Sequence, residues 1–247
     1  MPSQKQALLA ALRRQLNTEA ILGPDSAVIS LGIDAIDGSL PWGGLPCGAL
    51  HEVTGAAMDG AATGFCAMLL AHLSGGTRST IWIANDDDLY GPGLAAYGLS
   101  ADRLIVVRAR RPVEILWTLE EALRCRGLAA VLGEVPDLSL AASRRLQLAA
   151  RNSGVTALLL RPRAETSPVT TAVTRWRVTA LPGQTASGEN IDPRWGVELV
   201  RCRGRSHGEE GYVERWLVEW HRATRRLGLV SELRDRPAVP EKRRMAR

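Results

Sequence analysis

Gly55 and Gly60 stand in the stretch LPCGALHEVTGAAMDGAATG, Leu45 to Gly64, at the separation found in a phosphate-binding loop. That loop reads GxxxxGK followed by Ser or Thr. Its glycines let backbone N–H groups cradle phosphate, its lysine reaches the terminal phosphates, and its hydroxyl holds magnesium. Here Ala61 and Ala62 stand where the lysine and the hydroxyl belong. The frame is kept and the two working side chains are absent. The chain's two lysines, Lys5 and Lys242, lie near its ends, and arginine is a poor substitute in a tight phosphate loop. Thr63 sits one place beyond the usual hydroxyl. In a chain rich in Gly and Ala the spacing alone could be chance, so its surroundings decide.

Acidic residues follow two apolar runs. TIWIA, Thr80 to Ala84, leads straight into Asn85, Asp86, Asp87 and Asp88. Carboxylates at the end of a strand can attract magnesium or position a water; a solvated turn or helix cap is the alternative. Leu128 to Leu132 is a second apolar run, ending in Gly133 and Glu134. In a nucleotide hydrolase such a strand ends in the Asp that holds magnesium through water. Gly133 takes the simplest counterpart position, with Glu134 one place later. Arg161, Arg163, Arg175 and Arg177 cluster near the end of a later strand and could touch phosphates regardless of base sequence. Local ion pairs are the alternative for each. Trp176 alternates with Arg175 and Arg177 and so faces the other side of its strand, into a core.

The elements that position these residues can be read from periodicity. Strands are expected at 50–54, 80–84, 103–107, 128–132 and 155–160, and helices at 65–73, 91–99, 112–126 and 138–152. This alternation implies a mainly parallel sheet with helices on both faces. A small helix or turn is expected at 168–174. Strands at 175–180, 195–202, 212–221 and 224–233 then read as an antiparallel extension. The apolar positions Leu8, Leu12 and Leu16 predict a short amphipathic N-terminal helix, which must dock on something to be stable. The chain therefore divides into an N-terminal helix at 1–24, a core at 25–233 and a basic, flexible tail at 234–247.

Composition sets the outer bounds. The chain has 247 residues, 45% of them hydrophobic, enough for a sizeable core. No apolar run approaches the ~20 residues of a membrane span, and the N-terminus is too polar for a secretory leader. Cys47, Cys66, Cys125 and Cys202 are scattered, so reduced thiols in the cytosol are expected, with no metal site. From residue 201 onward there are 13 Arg/Lys and 7 Asp/Glu, a net of +6; the first 200 residues hold 18 and 19, a net of −1. That basic end suits a nucleic acid, an acidic protein surface or plain solvation.

The segment WGGLPCGALHEVTGAAMDGAATGF resembles the approach and nucleotide loop of RecA recombinases. The order of later pieces is similar too: a strand ending in an acid cluster, a strand ending near the magnesium acid, then antiparallel strands. With the degenerate loop, the RWRV strand and the WLVEW strand, the chain looks most like the ImuA family, over roughly residues 28 to 233. The SulA-like label overlaps that family. The resemblance implies a RecA-like α/β core serving the SOS response, translesion synthesis and mutagenic DNA repair in the cytoplasm, at the nucleoid. It implies RecA, the adaptor ImuB and the error-prone polymerase DnaE2 as partners, with Leu8, Leu12 and Leu16 as candidate partner contacts. Carried over by residue, the loop lysine and threonine of RecA fall on Ala61 and Ala62, its catalytic Glu near Asp86 and its magnesium-associated Asp near Gly133. The expectation is a non-catalytic protein without cofactor. Sequence-independent DNA binding, residual ATP hydrolysis through Asp86 and Glu134, and inhibition of cell division are the competing readings.

Overall fold

The computed structural model describes residues 27–56, 59–161, 170–183, 192–204 and 214–230. The N-terminal helix with Leu8, Leu12 and Leu16, the position Arg163 and the tail at 234–247 lie outside the described residues.

Strand β3 (Leu50–Gly55) is the pivot of the sheet. It reads as a nearly continuous buried run because it has neighbours on both edges and packed layers on both faces. After it come β4 (Thr80–Ala84), β5 (Leu104–Arg108), β6 (Ala130–Glu134), β7 (Thr156–Arg161), β8 (Thr174–Leu181), β9 (Arg194–Cys202), β10 (Glu214–His221) and β11 (Arg226–Leu229). These nine form one sheet in the order β11-β10-β9-β8-β3-β7-β6-β4-β5. From β5 to β8 every neighbouring pair is parallel. From β8 to β11 every pair is antiparallel. The expected architecture is therefore observed, with β8 as its seam. Two short strands, β1 (Val28–Ile29) and β2 (Leu45–Pro46), pair separately around the turn of helix α1 (Asp34–Asp37).

Side chains alternate between the two faces of the sheet. On one face Leu132, Leu158, Trp82 and Trp176 pack against Phe65, Met68 and Leu69 of helix α2 (Ala61–Ser74). Ten of the fourteen residues of α2 are buried, because Leu31, Ile36 and Leu40 of the preceding segment join the same core. On the other face Val131, Ala157 and Leu159 pack against helices α4 (Pro112–Leu123) and α5 (Leu140–Ser153). Pro112 starts α4 where its missing N–H costs nothing. The Ser139 hydroxyl accepts from the Ala142 N–H at 3.2 Å and caps α5.

Several bounds differ from the sequence reading. The helix expected at 91–99 is only α3 (Gly91–Ala95), since Gly98 turns left-handed (φ 86°) and redirects the chain. Strand β6 is displaced by two residues from 128–132, because Ala130 pairs with Thr80 on one side and Thr156 on the other. Strand β11 is Arg226–Leu229, and residues 231–233 of the expected strand lie outside the described residues. Residues 170–173, expected in a small helix or turn, form no helix. Among the described residues no helix is long and apolar enough to cross a membrane.

Candidate functional site

The carboxyl ends of parallel strands are where open α/β sheets bind ligands, at points where the chain reverses its direction of winding. Here β3 leads through α2 to β4, three strands away, while β8 later returns to the opposite side of β3. A cleft of about 770 Å³ opens at that place. Its floor is the start of α2, with Gly60, Ala62 and Thr63; its walls include Asp86, Tyr97 and Glu134.

Both glycines of the loop frame stand where the backbone favours glycine. Gly60 takes a left-handed conformation (φ 65°) and delivers the chain into α2. A Cβ on Gly55 would lie 2.6 Å from the Ala62 Cβ and 2.9 Å from the Val178 carbonyl, so strand and helix approach as closely as a side chain would forbid. The chemistry is different. Ala61 and Ala62 are 2% and 4% exposed and belong to the core under α2. Where a phosphate would meet the helix start, the chain supplies its own anion. The Ala61 N–H donates to Asp59 Oδ1 at 3.0 Å, and the Ala180 N–H of β8 donates to Asp59 Oδ2 at 3.0 Å. A carboxylate fits the positive end of a helix as a phosphate does.

The acid positions sort by strand alternation. Gly133 does not face the cleft: a Cβ there would point to the opposite side of the sheet, 2.7 Å from Leu119 Cδ1 of α4. The acid that faces the cleft is Glu134. Of the two counterparts the sequence offered, Gly133 and Glu134, strand alternation turns Glu134 to the cleft. Glu134 is already held: Trp82 Nε1–H donates to its Oε1 at 2.8 Å and the Asn85 N–H to its Oε2 at 2.9 Å. Burial pushes its pKa above the usual carboxylate range, against the pull of these hydrogen bonds. Asp86 lies at the cleft as an exposed side chain, and Asp88 beside it. Asp87 turns away to pair with Arg108 at 3.1 Å and Arg110 at 3.3 Å.

Among the described residues, no Lys, Arg or His lines the cleft. A nucleoside triphosphate would meet, among the described residues, Asp86, Asp88 and Glu134 with no facing cation, and Asp59 on the helix amide its phosphate needs. This donor set does not fit the nucleotide that such a fold would hold. Among the described residues no group of three His, Cys, Asp or Glu is placed to hold a metal ion.

Of the four arginines offered as DNA contacts, Arg161, Arg175 and Arg177 are described. Arg161 is 1% exposed, ion-paired with Glu52 at 3.7 Å and donating to the Pro136 carbonyl at 3.1 Å. Its burial leaves it no surface to offer a phosphate. Arg175 donates from Nε to Glu52 Oε2 at 2.9 Å and from Nη2 to Thr170 Oγ1 at 3.0 Å. Arg177 pairs with Glu198 across β8 and β9 at 3.0 Å and stays half exposed. Sequence reasoning missed Glu52 and Asp59. The signal for Glu52 was a charged residue inside an expected strand of the core. That for Asp59 was an acid just before a helix start.

No protein-family model matches the chain. Protein ImuA of Caulobacter vibrioides, in two strains, is 40% identical over 233 residues, spanning 84% of this chain and 91% of the relative. The cell division inhibitor SulA of Serratia marcescens is 27% identical over 100 residues, 40% of this chain and 60% of that protein. A solved KaiC-like protein of Pyrococcus horikoshii aligns with a TM-score of 0.55 at 13% identity, covering 83% of this chain and all of that one, which shows the fold alone. The Gly55 and Gly60 stretch thus sits in a KaiC-like sheet, and the relative that matches most of both sequences bears one name: the chain belongs to the ImuA family.

Proposed function

We propose that this protein is a non-catalytic, RecA-like accessory factor of SOS-induced translesion synthesis and mutagenic repair, acting by binding RecA and the ImuB and DnaE2 polymerase machinery. The observation that carries the non-catalytic part is Asp59. Its carboxylate takes the N–H at the start of α2, and alanines replace the lysine and hydroxyl that would hold phosphate and metal. A RecA-type frame kept without its nucleotide chemistry suits a surface for assembly. The family membership supports the setting in mutagenesis, and Leu8, Leu12 and Leu16 remain the candidate partner contacts by their helical spacing.

The test pairs two measurements on the purified full chain. Calorimetry with ATP and magnesium is expected to give no binding heat, and immobilised protein is expected to retain RecA. Micromolar ATP binding would overturn the non-catalytic reading. Loss of RecA retention with an intact fold would remove RecA as a direct partner, and undiminished retention after deletion of residues 1–20 would clear the leucines of that role.

A further inference from the structure

The cleft at the carboxyl ends of the parallel strands holds negative charge that the described residues leave unanswered. Asp86, Asp87 and Asp88 follow β4 in succession. Asp87 is neutralised by Arg108 at 3.1 Å and Arg110 at 3.3 Å. Asp86 and Asp88 line the cleft, and among the described residues neither is ion-paired. Glu134 shares that space, with both of its oxygens accepting from N–H groups. Burial, opposed by those bonds, raises its pKa, and the charges of Asp88 and Asp86 raise it further. Three carboxylates thus face one space of about 770 Å³.

The rest of the lining selects the form of the cation. Tyr97 packs against bare backbone of α2: a Cβ on Gly64 would lie 2.7 Å from its Cζ. Tyr90 is 70% exposed, and Leu89 and Leu94 continue the same wall. A side chain with an apolar stem and a charged head matches such a wall. The stem covers ring and leucine, the head reaches the carboxylates, and a cation over a tyrosine face gains a further attraction. Lysine and arginine have that form. A bare metal ion does not, and among the described residues no three acids are placed to hold one.

The chain carries such side chains within reach. Residues 234–247 include six Arg/Lys and two Asp/Glu, and they follow β11. Leu227 of β11 pairs with Trp220, whose ring lies 6.0 Å from that of Tyr97 in the cleft wall. Val230 is three positions further on, ~10 Å along the strand direction. Strand β11 runs away from the cleft end of the sheet, so the chain must return. Lys242 follows Val230 by twelve positions, from 242 − 230, and twelve residues span up to ~40 Å. That length covers the return. Tethering also gives this segment a far higher effective concentration than the same segment of a second copy. We propose that the cleft is a site for the chain's own basic run, Lys242, Arg243 and Arg244, with their stems on Tyr90 and Tyr97 and their charges facing Asp86, Asp88 and Glu134. An internal cation then stands where a nucleotide would enter. The inference does not rest on the identity of any partner protein, and its test reads no nucleotide binding.

Lys5 and Lys242 are the only lysines in the chain, which makes the test specific. A water-soluble carbodiimide joins a lysine amine to a carboxylate in contact with it, and digestion with mass spectrometry locates the acid bonded to Lys242. The full chain is used, as a mixture of isotopically labelled and unlabelled protein. The expected product is an amide from Lys242 to Asp86, Asp88 or Glu134, with Asp87 spared, formed within one chain. Raising the salt from about 0.1 M to about 1 M is expected to cut its yield about fivefold, as the screening length falls from ~10 Å to ~3 Å. With D88K and K242E combined, the amide is expected to form again with amine and acid exchanged. Asp88 is exposed, so folding is retained, and circular dichroism checks it. Lys242 bonded mainly to other carboxylates, or to none, would overturn the proposal. So would amides joining labelled to unlabelled chains, which would assign the cleft to the basic run of a second copy.

Discussion

Asp59 joins the start of α2 to the end of β8 through one carboxylate, 121 positions apart in the chain for the Ala180 bond. Asp59→Ala is expected to lower stability by about 1 kcal/mol, the usual worth of a helix-start acceptor, in urea unfolding. It should leave ATP unbound, because Ala61 and Ala62 still lack the groups that hold phosphate and metal. Glu52 is wholly buried and accepts from Arg175 while facing Arg161. Glu52→Gln keeps the shape and removes the charge, so a loss of about 3 kcal/mol is expected, as when a buried pair is broken from one side. His51 gives a pH signature. Its ring bonds Thr174 Oγ1 at 2.7 Å and the Pro46 carbonyl at 2.8 Å, and burial lowers its pKa from 6.5 to about 4. Between those values the unfolded chain binds a proton that the folded protein refuses. Stability from this residue is therefore full above pH 6.5 and declines as pH falls towards 4, with a slope of up to ~1.4 kcal/mol per pH unit. His51→Gln should flatten that part of the urea midpoint's pH dependence; an unchanged slope would rule out His51 as its source.

At the scale of elements, strand alternation decides what a substitution can restore. Gly133→Asp would look in sequence like repair of the magnesium acid. Its side chain would instead enter the apolar layer at Leu119, which is fully buried, so the expected result is a loss of more than ~3 kcal/mol and no gain in metal binding. Thermal unfolding with and without magnesium checks both halves of that statement. The same register explains what the sequence could reveal. Buried parallel strands with amphipathic helices between them leave strong local periodicity, so α2, α4, α5 and the order of β3 to β7 were legible. Strand ends were not, since the pairing of Ala130 with Thr80 and Thr156 sets β6, and no local pattern records that pairing. The loop frame at Gly55 and Gly60 could be read because it is local. The Asp59 bond to Ala180 and the Glu52 bond to Arg175 span more than a hundred positions, and spacing carries no trace of such contacts. Arg161 read as a surface cation for the same reason, because the carboxylate that draws it inward lies on a strand made much earlier.

The whole molecule is held across its seam by aromatic rings. Tyr97 lies 5.7 Å from Trp195 and 6.0 Å from Trp220, and Phe65 of α2 lies 6.1 Å from both Trp176 and Trp195. Trp220 also donates to the Ala96 carbonyl at 3.0 Å. Trp195→Ala is expected to cost about 3–5 kcal/mol and to reduce the near-ultraviolet circular dichroism, since it removes the ring between Phe65 and Tyr97. A two-step unfolding curve would show that the antiparallel strands can leave while the parallel block stays. The central place of β3 has a further consequence for how the protein is made. Both of its neighbours are encoded far downstream: Thr156 follows Gly55 by 101 positions, from 156 − 55, and β8 comes later still. At about 5–20 residues per second of synthesis, β3 leaves the ribosome roughly 5–20 s before either partner exists. During that interval an apolar strand and the apolar helix behind it have nothing to pair with, so the growing chain depends on holdase protection in proportion to translation time.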